Sequence, residues 1–485
     1  MSAPPFDLAL PVPAAEDLDP VHFVGIGGIG MSGIARIMLA RGLAVSGSDA
    51  KDLPVLSALR ALGGAALPGF DPERLEGVRT LVASSAIRFD NPELLRARQQ
   101  GMRILHRSQA LQSLMLGKRA VAVAGTNGKT TTSSMLTVLL QSAGLDPSFA
   151  IGGELVGAGT NGHLGTGDVF VAEADESDSS FLVYTPAVSV VTNVQPDHLD
   201  HYGTAARVVD AFEEFAARLG PDGTLVACAD DPGSAALAAK LRDSGNPVLT
   251  YGVAQDADVR VTAVQFVEDR CRFFLTEEGQ APGEVRLGVP GHHNVLNAAA
   301  AYAAARSLGV AAGLALAGLE AFTGTRRRFE LRGEHDGVRV YDDYAHNPAK
   351  VAAAVTTGRQ VAGAGRLVVV FQPHLYSRTL DFAAEFGSAL SGADEVIVMD
   401  VYAAREDPVA GVTGALVAQQ VELAGGRVVF VPSWSATPAE VLARVSPGDL
   451  VLTVGAGDVT MIGAEVLALL RSRAGEPVAV PVTRL

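Results

Sequence analysis

The sequence predicts an α/β protein in which several domains are built on parallel sheets. Apolar runs, each followed by a glycine-rich or polar turn, alternate with stretches of helical periodicity along three successive segments of the chain. Continuous apolar runs are typical of strands buried on both faces, and the helices between them serve as crossovers. The 485 residues exceed what one hydrophobic core accommodates, which favours more than one domain.

The first segment, residues 1–118, predicts a domain with a nucleotide-binding turn. A strand at residues 21–24 runs into Gly25-Ile26-Gly27-Gly28-Ile29-Gly30, and a helix is expected over residues 31–41. Asp49 follows at the distance typical of the dinucleotide fingerprint, about 20 residues on. The glycines let the backbone approach a diphosphate at a helix N-terminus. The segment is therefore predicted to be Rossmann-like.

Two further strands complete this first domain. One is expected at residues 43–45 before Asp49, which can accept hydrogen bonds from ribose hydroxyls, and the other at residues 80–83 before Ser84 and Ser85. The fingerprint indicates a nucleotide diphosphate without saying which one, so a dinucleotide and a UDP-linked compound both fit. A tight turn with no ligand is the alternative.

The second segment, residues 119–324, predicts a central phosphate-loop domain with a parallel sheet. A strand at residues 120–124 leads into Gly125-Thr126-Asn127-Gly128-Lys129-Thr130, and a helix is expected over residues 130–143. A full Walker A motif needs glycine where Val123 stands, so the loop is shorter. Its backbone N–H groups can still cradle phosphate, Lys129 can meet the β- and γ-phosphate charge, and Thr130 can bind Mg²⁺. The loop predicts ATP binding.

Polar residues follow two further strands of the central domain. Glu173 comes directly after the strand at residues 169–172 and is expected to bind Mg²⁺ through its carboxylate oxygens. Glu176 and Asp178 fit either a functional site or a solvated loop. His198, beyond the strand at residues 188–191, is a candidate for a second metal or substrate contact.

The remainder of the central domain is predicted from its residue pattern. Within residues 248–287, uncharged residues alternate with charged ones, which suggests a small antiparallel insertion. The alanine-rich run over residues 297–308 predicts a helix. Asn294 and Asn297 lie three residues apart, so their amides can share a helix face and read an adenine edge. N-capping alone would explain one of them.

The third segment, residues 325–485, predicts a Rossmann-like α/β domain with an open parallel sheet. Arg326, Arg327 and Arg328 stand at its start, where an arginine can clamp a γ-phosphate. Polar clusters at residues 342–348 and 372–379 each follow a strand, so we expect both to face one crevice. The strands are expected at residues 338–341, 367–371, 395–399, 428–431 and 450–454.

Composition excludes several classes of protein. The net charge of −15 argues against a protein that coats nucleic acid. The two cysteines, Cys228 and Cys271, have no metal-ligand spacing and suit a reducing compartment. No signal peptide or membrane-length apolar stretch is evident, so we expect a cytoplasmic enzyme that is a monomer or weak homodimer and binds neither membrane nor nucleic acid.

Five motifs together carry a family resemblance that covers residues 21 to about 465. They occur in the order found in the Mur ligases, which the chain therefore resembles. The motifs are Gly-Thr-Asn-Gly-Lys-Thr-Thr from 125, Glu-Ala-Asp-Glu-Ser-Asp from 173, His-His-Asn-Val-Leu-Asn from 292, Arg-Arg-Phe from 327 and Asp-Asp-Tyr-Ala-His-Asn-Pro from 342. Residues 22–35 and 371–379 are most similar to the members that join L-alanine to UDP-N-acetylmuramate.

The resemblance implies substrates and site residues. The substrates would be UDP-N-acetylmuramate, L-alanine and ATP, with Mg²⁺, and the first domain would bind the UDP part. The uridine diphosphate would contact Gly27, Gly28, Ile29, Gly30, Met31, Asp49, Ser84 and Ser85. ATP would contact Gly125, Thr126, Asn127, Gly128, Lys129, Thr130, Thr131, Asn294, Asn297, Arg327, Arg328, Asp343 and His346. Alanine would face His374, Tyr376 and Arg378; the metal ligands would be Thr130, Glu173 and His198; and Lys129, His198, Arg328 and Arg378 would be catalytic.

Three alternatives stay open from sequence. A murein tripeptide recycling ligase would share most motifs. A dehydrogenase built on the first glycine turn would leave Lys129 and the third segment without a role. A UDP-sugar-binding regulator without catalysis would not need Lys129, Thr130 and Glu173 together.

Overall fold

The computed structural model describes residues 6–404 and 406–473, and it confirms the predicted α/β class. Three sheets, mostly parallel, follow one another along the chain. Residues up to 265, with 272–287 and 294–323, form one compact unit, and residues 266–271, 288–293 and 324 onward form a second. Boundaries at residues 118 and 324 remain a prediction, and residues 1–5 and 474–485 of the predicted outer domains lie outside the described residues.

The first sheet has five parallel strands in the order β3-β2-β1-β4-β5. The strand order reverses between β1 and β4, and ligands of doubly wound sheets bind outside the carboxyl ends of the strands at this point. The turn at residues 25–30 and Ser84–Ser85 both emerge there. The strands are β1 (Val21–Val24), β2 (Val45–Asp49), β3 (Ala65–Pro68), β4 (Thr80–Ala83) and β5 (Arg103–His106); the helices are α1 (Ile29–Ala40), α2 (Pro54–Ala61), α3 (Pro92–Gln99) and α4 (Arg107–Met115).

The second sheet has ten strands in the order β15-β14-β13-β12-β11-β10-β6-β9-β7-β8. Its first strand, β6, lies between β10 and β9 and pairs parallel with both, so the strand order reverses beside it. The strands are β6 (Arg119–Ala124), β7 (Ser148–Ala150), β8 (Gly162–His163), β9 (Val169–Glu173), β10 (Val188–Val191), β11 (Thr224–Cys228), β12 (Val248–Gly252), β13 (Val259–Val267), β14 (Arg270–Glu277) and β15 (Gly283–Leu287). The helices are α5 (Lys129–Ser142), α6 (Leu199–Tyr202), α7 (Ala205–Ala217), α8 (Pro232–Asp243), α9 (His292–Ser307) and α10 (Ala312–Glu320).

Two expectations for this sheet need correction. The expected antiparallel insertion does not include residues 248–252, because β12 pairs parallel with β11 and β13 pairs parallel with β12. The alternation with charges arises because one face of β13 and β14 is exposed, which gives a period of two whatever the strand direction. Helix α9 begins at His292 rather than 297, since the polar residues before the alanine run belong to the helix and Asn294 is buried in it.

The third sheet has six strands in the order β16-β17-β21-β18-β19-β20. Only β16 runs antiparallel to its neighbour, and this strand was not predicted. The strands are β16 (Glu330–His335), β17 (Val338–Asp343), β18 (Leu367–Phe371), β19 (Glu395–Val398), β20 (Val428–Phe430) and β21 (Leu450–Val454). The helices are α11 (Pro348–Ala362), α12 (Tyr376–Asp381), α13 (Ala383–Leu390), α14 (Gly414–Leu423), α15 (Thr437–Arg444) and α16 (Thr460–Arg473).

The described residues also form short 3-10 helices. The 3-10 helices are Ala15–Leu18, Pro72–Leu75, Ser180–Val183 and Trp434–Ala436. Within the described chain, every helix falls short of the length and apolar character that crossing a bilayer requires.

A buried polar cluster joins β1, β2 and α3 of the first sheet. The fully buried Glu93 carboxylate accepts hydrogen bonds from the Ser48 hydroxyl at 2.5 Å and from the Asp71 N–H at 2.9 Å. The His22 Nε2 atom lies 3.5 Å from the same carboxylate. One side chain thus holds α3 to β2 through the buried Ser48 hydroxyl and lies beside the His22 ring of β1.

We expect Glu93→Ala to destabilise the protein by on the order of 3 kcal/mol, since it leaves buried donors without an acceptor. Thermal unfolding followed by circular dichroism measures the effect. Glu73→Ala, at an exposed glutamate in the first turn of a 3-10 helix, is the control. Equal melting temperatures for the two variants would contradict this role of Glu93.

Candidate active site

The phosphate-type loop connects β6 to α5 at the strand-order reversal of the second sheet. Gly125 has φ +131°, and a Cβ there would lie 2.0 Å from the Thr192 Oγ1 atom. Gly128 has φ +88°, and a Cβ there would lie 2.5 Å from the Asn297 Oδ1 atom. Both positions need glycine because L side chains rarely adopt these φ values and no room exists for Cβ.

The segment that follows β10 supports the loop from outside. The Asn127 N–H donates to Asn193 Oδ1 at 2.8 Å, and the Thr192 hydroxyl donates to the Asn127 carbonyl at 2.5 Å. The Thr126 hydroxyl donates to the Gln195 carbonyl at 3.1 Å. Residues 192–195 thus fix the loop's shape, a role that sequence reasoning missed although it recognised the polar segment.

Lys129 is held in a buried ion pair. Its ammonium donates to both carboxylate oxygens of Glu176, at 2.8 and 2.6 Å, and to the Gly125 carbonyl at 2.7 Å. The Glu176 side chain is only 2% exposed, so Glu176 is not a solvated loop residue. Burial raises the pKa of Glu176 to about 7, although the Lys129 charge opposes that rise. Burial alone would lower the pKa of Lys129, but the attraction of the Glu176 carboxylate outweighs burial, so the pKa of the lysine is raised.

Two of the three predicted metal ligands lie together. The Thr130 hydroxyl donates to Glu173 Oε1 at 3.1 Å, and the Gly152 N–H donates to Glu173 Oε2 at 2.7 Å. A hydroxyl and a carboxylate are donors that suit Mg²⁺, which keeps waters as its other ligands. The described residues contain no cluster of three or more His, Cys, Asp or Glu side chains arranged for a metal. The pair therefore fits a cation that binds few protein ligands.

His198 lies beside the lysine ion pair. Its Nε2 atom is 3.8 Å from Glu176 Oε1 and 4.0 Å from Asp197 Oδ2, and its backbone has φ +52°. The structure thus brings His198 to Glu176, and its predicted role as a metal ligand or catalytic group remains a prediction.

Asn294 and Asn297 pack against the first turn of α5. Asn297 Oδ1 accepts from the Thr132 hydroxyl at 3.2 Å, and Asn297 Nδ2 donates to Asn294 Oδ1 at 3.2 Å. Both amides are buried beside the phosphate loop. Neither caps α9, which begins at His292, and their contact with an adenine base remains a prediction.

The glycine-rich turn at residues 25–30, the fingerprint turn, is ordered by Asp49. The Gly27 N–H donates to Asp49 Oδ2 at 3.0 Å, so Asp49 orders the turn whether or not it binds ribose. Gly28 precedes α1, and Met31 is buried in it. After β4, the Ser85 hydroxyl donates to Asp178 Oδ2 at 2.5 Å.

Asp178 belongs to the acidic segment that follows β9. Burial would raise its pKa, but hydrogen bonding to the His106 ring holds the pKa of Asp178 well below its usual range. The His106 Nε2 atom lies 3.4 Å from its carboxylate. Asp178 therefore links this segment to Ser85, after β4, and to His106, the last residue of β5, which the sequence pattern did not indicate.

In the second unit, two neighbouring arginines both lie over the Tyr344 ring, the Arg327 guanidinium at 4.9 Å from its centre. Arg327 donates to the Gly455 carbonyl at 2.7 Å and to the buried Asp342 carboxylate at 3.3 Å. The Arg328 guanidinium lies 5.3 Å from the centre of the Tyr344 ring. These contacts give Arg327 a role in holding its own unit together, and a phosphate contact by Arg327 or Arg328 remains a prediction.

Asp343 and His346 follow β17. The Asp343 carboxylate accepts from the Phe329 and Ala345 N–H groups, each at 2.8 Å, and burial raises its pKa. His346 Nδ1 lies 2.9 Å from the Tyr344 carbonyl, to which it donates, and burial keeps the pKa of His346 well below its usual range. The ring is therefore neutral, with Nε2 as an acceptor.

The structure brings together the polar clusters that follow β17 and β18, although β21 lies between these strands. The rings of His346 and His374 are 6.1 Å apart, and Arg378 Nη1 is 3.4 Å from His374 Nδ1. The His374 ring also stacks on Tyr402 at 5.9 Å. Tyr376 begins α12 and is half-buried.

The phosphate loop at a strand-order reversal, a lysine aimed into it and an adjoining hydroxyl–carboxylate pair define a nucleotide-binding enzyme of the phosphate-loop class. Three family comparisons agree with this class. Residues 20–119 match the Mur ligase family catalytic domain, residues 123–305 the Mur ligase middle domain, and residues 327–457 the Mur ligase glutamate ligase domain. The chain belongs to the Mur ligase family, as its motifs predicted.

Relatives match nearly the whole chain. A UDP-N-acetylmuramate–L-alanine ligase of Kineococcus radiotolerans is 59% identical over 470 residues, 96% of this chain and 99% of that protein. One from Renibacterium salmoninarum is 53% identical over 461 residues, 95% and 98% of the two chains. A crystal structure of UDP-N-acetylmuramate–alanine ligase from Thermotoga maritima matches with a TM-score of 0.80, 30% identity and coverage of 93% and 99%. A murein peptide ligase from Psychrobacter arcticus shares the fold, at 24% identity and a TM-score of 0.70 over 93% and 98% of the chains.

The Glu176 carboxylate predicts a pH dependence of nucleotide binding. Above about pH 7 it is ionised, holds Lys129 and repels phosphate, whereas protonation below that pH releases the lysine. We expect the affinity for Mg²⁺-ATP to fall by up to about tenfold per pH unit as pH rises through this range. Calorimetric titration of wild type and Glu176→Gln measures it. The variant should lack this component, and identical pH profiles for the two proteins would contradict the assignment.

Proposed function

We propose that this chain is an ADP-forming ligase that joins L-alanine to UDP-N-acetylmuramate in peptidoglycan precursor synthesis. The observation that carries the proposal is the cluster of Lys129, Thr130 and Glu173 at the edge of the second sheet, within a chain up to 59% identical to ligases of that name. The substrates would be UDP-N-acetylmuramate, L-alanine and ATP. The enzyme would work in the cytoplasm as a monomer or weak homodimer.

The reaction has two steps. An oxygen of the muramate carboxylate attacks the γ-phosphorus of ATP, the bond from that phosphorus to the bridging oxygen breaks, and ADP leaves with the electron pair. The α-amine of alanine then attacks the acyl carbon of the acyl phosphate, phosphate leaves, and the amine loses a proton. Both nucleophile and γ-phosphate are anions, so catalysis is mainly positioning and electrostatic stabilisation.

The residues around the loop have the chemistry for this task. Phosphate oxygens can be bound by the backbone N–H groups of the loop, which donate hydrogen bonds to them. The Lys129 ammonium can bind them as well once it exchanges the Glu176 carboxylate for phosphate oxygens. Thr130 and Glu173 fit Mg²⁺, since their hydroxyl and carboxylate oxygens are already adjacent. Bound there, Mg²⁺ would neutralise charge that develops on phosphate oxygens.

The uridine diphosphate, the alanine and the rest of ATP are assigned to polar residues outside the phosphate loop. The uridine diphosphate is assigned to the fingerprint turn, with Ser84 and Ser85 beside it, and the alanine to His374, Tyr376 and Arg378. Asn294 and Asn297, beside the phosphate loop, are assigned to ATP, and ATP contacts by Arg327, Arg328, Asp343 and His346 remain predictions. His198 is kept as a candidate for a catalytic or metal contact.

A murein peptide recycling ligase is the second candidate, because a structure of that type shares the fold. Phosphate release from ATP distinguishes the two when UDP-N-acetylmuramate with L-alanine is compared with UDP-N-acetylmuramate with L-alanyl-γ-D-glutamyl peptides. Release only with the peptides would overturn the alanine assignment. A titration with NADH separately tests dehydrogenase binding, and saturable binding would count against the ligase.

We expect Lys129→Ala to lower kcat by about 100-fold or more, because it removes the positive charge assigned to the transferring phosphate. Steady-state phosphate release measures the effect. Lys240→Ala, at an exposed lysine paired with Glu213, is a matched control that should keep normal turnover. A Lys129→Ala enzyme that turns over at nearly the normal rate would rule out the assigned role.

A further inference from the structure

Arg107 lies between Gly30 of the fingerprint turn and Asp175 of the acidic segment that follows β9. It is the first residue of α4, directly after β5, and its side chain is only 20% exposed. A Cβ on Gly30 would come within 3.3 Å of the Arg107 Nη1 atom. The last glycine of the fingerprint turn therefore leaves room for this guanidinium to reach the first turn of α1.

One acidic residue holds the guanidinium from the other side. Arg107 Nη2 donates to Asp175 Oδ2 at 2.6 Å. Asp175 lies between Glu173 and Glu176, which contact Thr130 and Lys129. Asp175 therefore connects the guanidinium to the segment that supports the phosphate loop.

Most donors of the guanidinium are unused. Arginine carries five N–H donors, and within the described residues Nη2 to Asp175 is the only hydrogen bond of this side chain. The Nη1 and Nε atoms are not among the buried side-chain atoms that lack a partner, so solvent reaches both of them. An acceptor from outside the chain can therefore replace water at these donors.

The start of α1 offers donors at the same place. In the described part of the chain, the backbone N–H groups of Ile29 and Gly30 have no acceptor. The partial positive charge of a twelve-residue helix adds to theirs. A guanidinium and free N–H groups side by side suit an anion with several oxygens, for which arginine offers bidentate geometry.

We propose that Arg107 binds the diphosphate of the UDP-linked substrate and that Asp175 is the positioning residue that orients it. This rests on the proposed function, which supplies a uridine diphosphate at the fingerprint turn. The diphosphate is favoured over the muramate carboxylate because Arg107 lies against the helix N-terminus. The same arginine then ties substrate binding in the first sheet to the segment that carries Glu173 and Glu176 in the second.

Equilibrium binding of UDP and of UDP-N-acetylmuramate to wild type, Arg107→Gln and Arg107→Lys tests the proposal. Both variants should bind both ligands about tenfold or more weakly, since neither can form two parallel hydrogen bonds to phosphate. Their affinity for Mg²⁺-ATP should be unchanged, which a misfolded variant would not reproduce. Arg218→Gln, at an exposed arginine paired with Glu214, is the matched control.

A double-mutant cycle tests the part assigned to Asp175. Asp175→Asn should weaken UDP binding in the wild-type background but have little further effect beside Arg107→Gln, because Asp175 acts through the arginine. Additive losses would overturn that role. If only UDP-N-acetylmuramate binds more weakly to the Arg107 variants and UDP does not, the diphosphate assignment is wrong.

The same titrations separate two kinds of failure. A wild-type protein that binds UDP-N-acetylmuramate while the Arg107 variants bind it equally well would overturn the role of Arg107 alone. A wild-type protein that binds neither UDP nor UDP-N-acetylmuramate would overturn the proposed function itself.

Discussion

A buried ammonium needs a counter-charge, and the arrangement around Lys129 follows from that constraint. Removing a charge from water costs several kcal/mol, so the lysine is paired with the almost fully buried Glu176 and with a carbonyl of its own loop. The loop keeps the required curvature because Gly125 and Gly128 lack side chains. Phosphate oxygens can replace Glu176 only at the place where the fold already holds the ammonium.

Sheet topology decides which groups meet at that place. Parallel strands bring their carboxyl ends to one edge, so the residues after β6, β9 and β10 become neighbours although the chain separates them widely. The acidic segment after β9 then faces two ways. Glu173 and Glu176 contact the phosphate loop, whereas Asp175 and Asp178 contact residues after β4 and β5 of the first sheet.

The sequence indicated those features that depend on local pattern. Strands such as Leu367–Phe371 and Leu450–Val454 were predicted with their observed bounds, because fully buried parallel strands are continuously apolar. The placement of the phosphate loop beside Glu173 was predictable because both follow directly from strand ends, and their roles remain predictions. Strand β16 was missed because its residues are mostly polar. The direction of β12 was predicted wrongly because an alternation of charged residues reports which side chains are exposed and not how the strands pair. The contacts of Arg107 were beyond reach, since they join residues 68 positions apart in the chain.

The two oxygens of Glu173 have separate partners. Oε2 is anchored to the backbone at Gly152, in the loop after β7, and Oε1 accepts a hydrogen bond from the hydroxyl of Thr130. A cation held by Oε1 and the Thr130 hydroxyl would leave the anchored oxygen in place. The local charge can therefore change by two units while the main chain keeps its position.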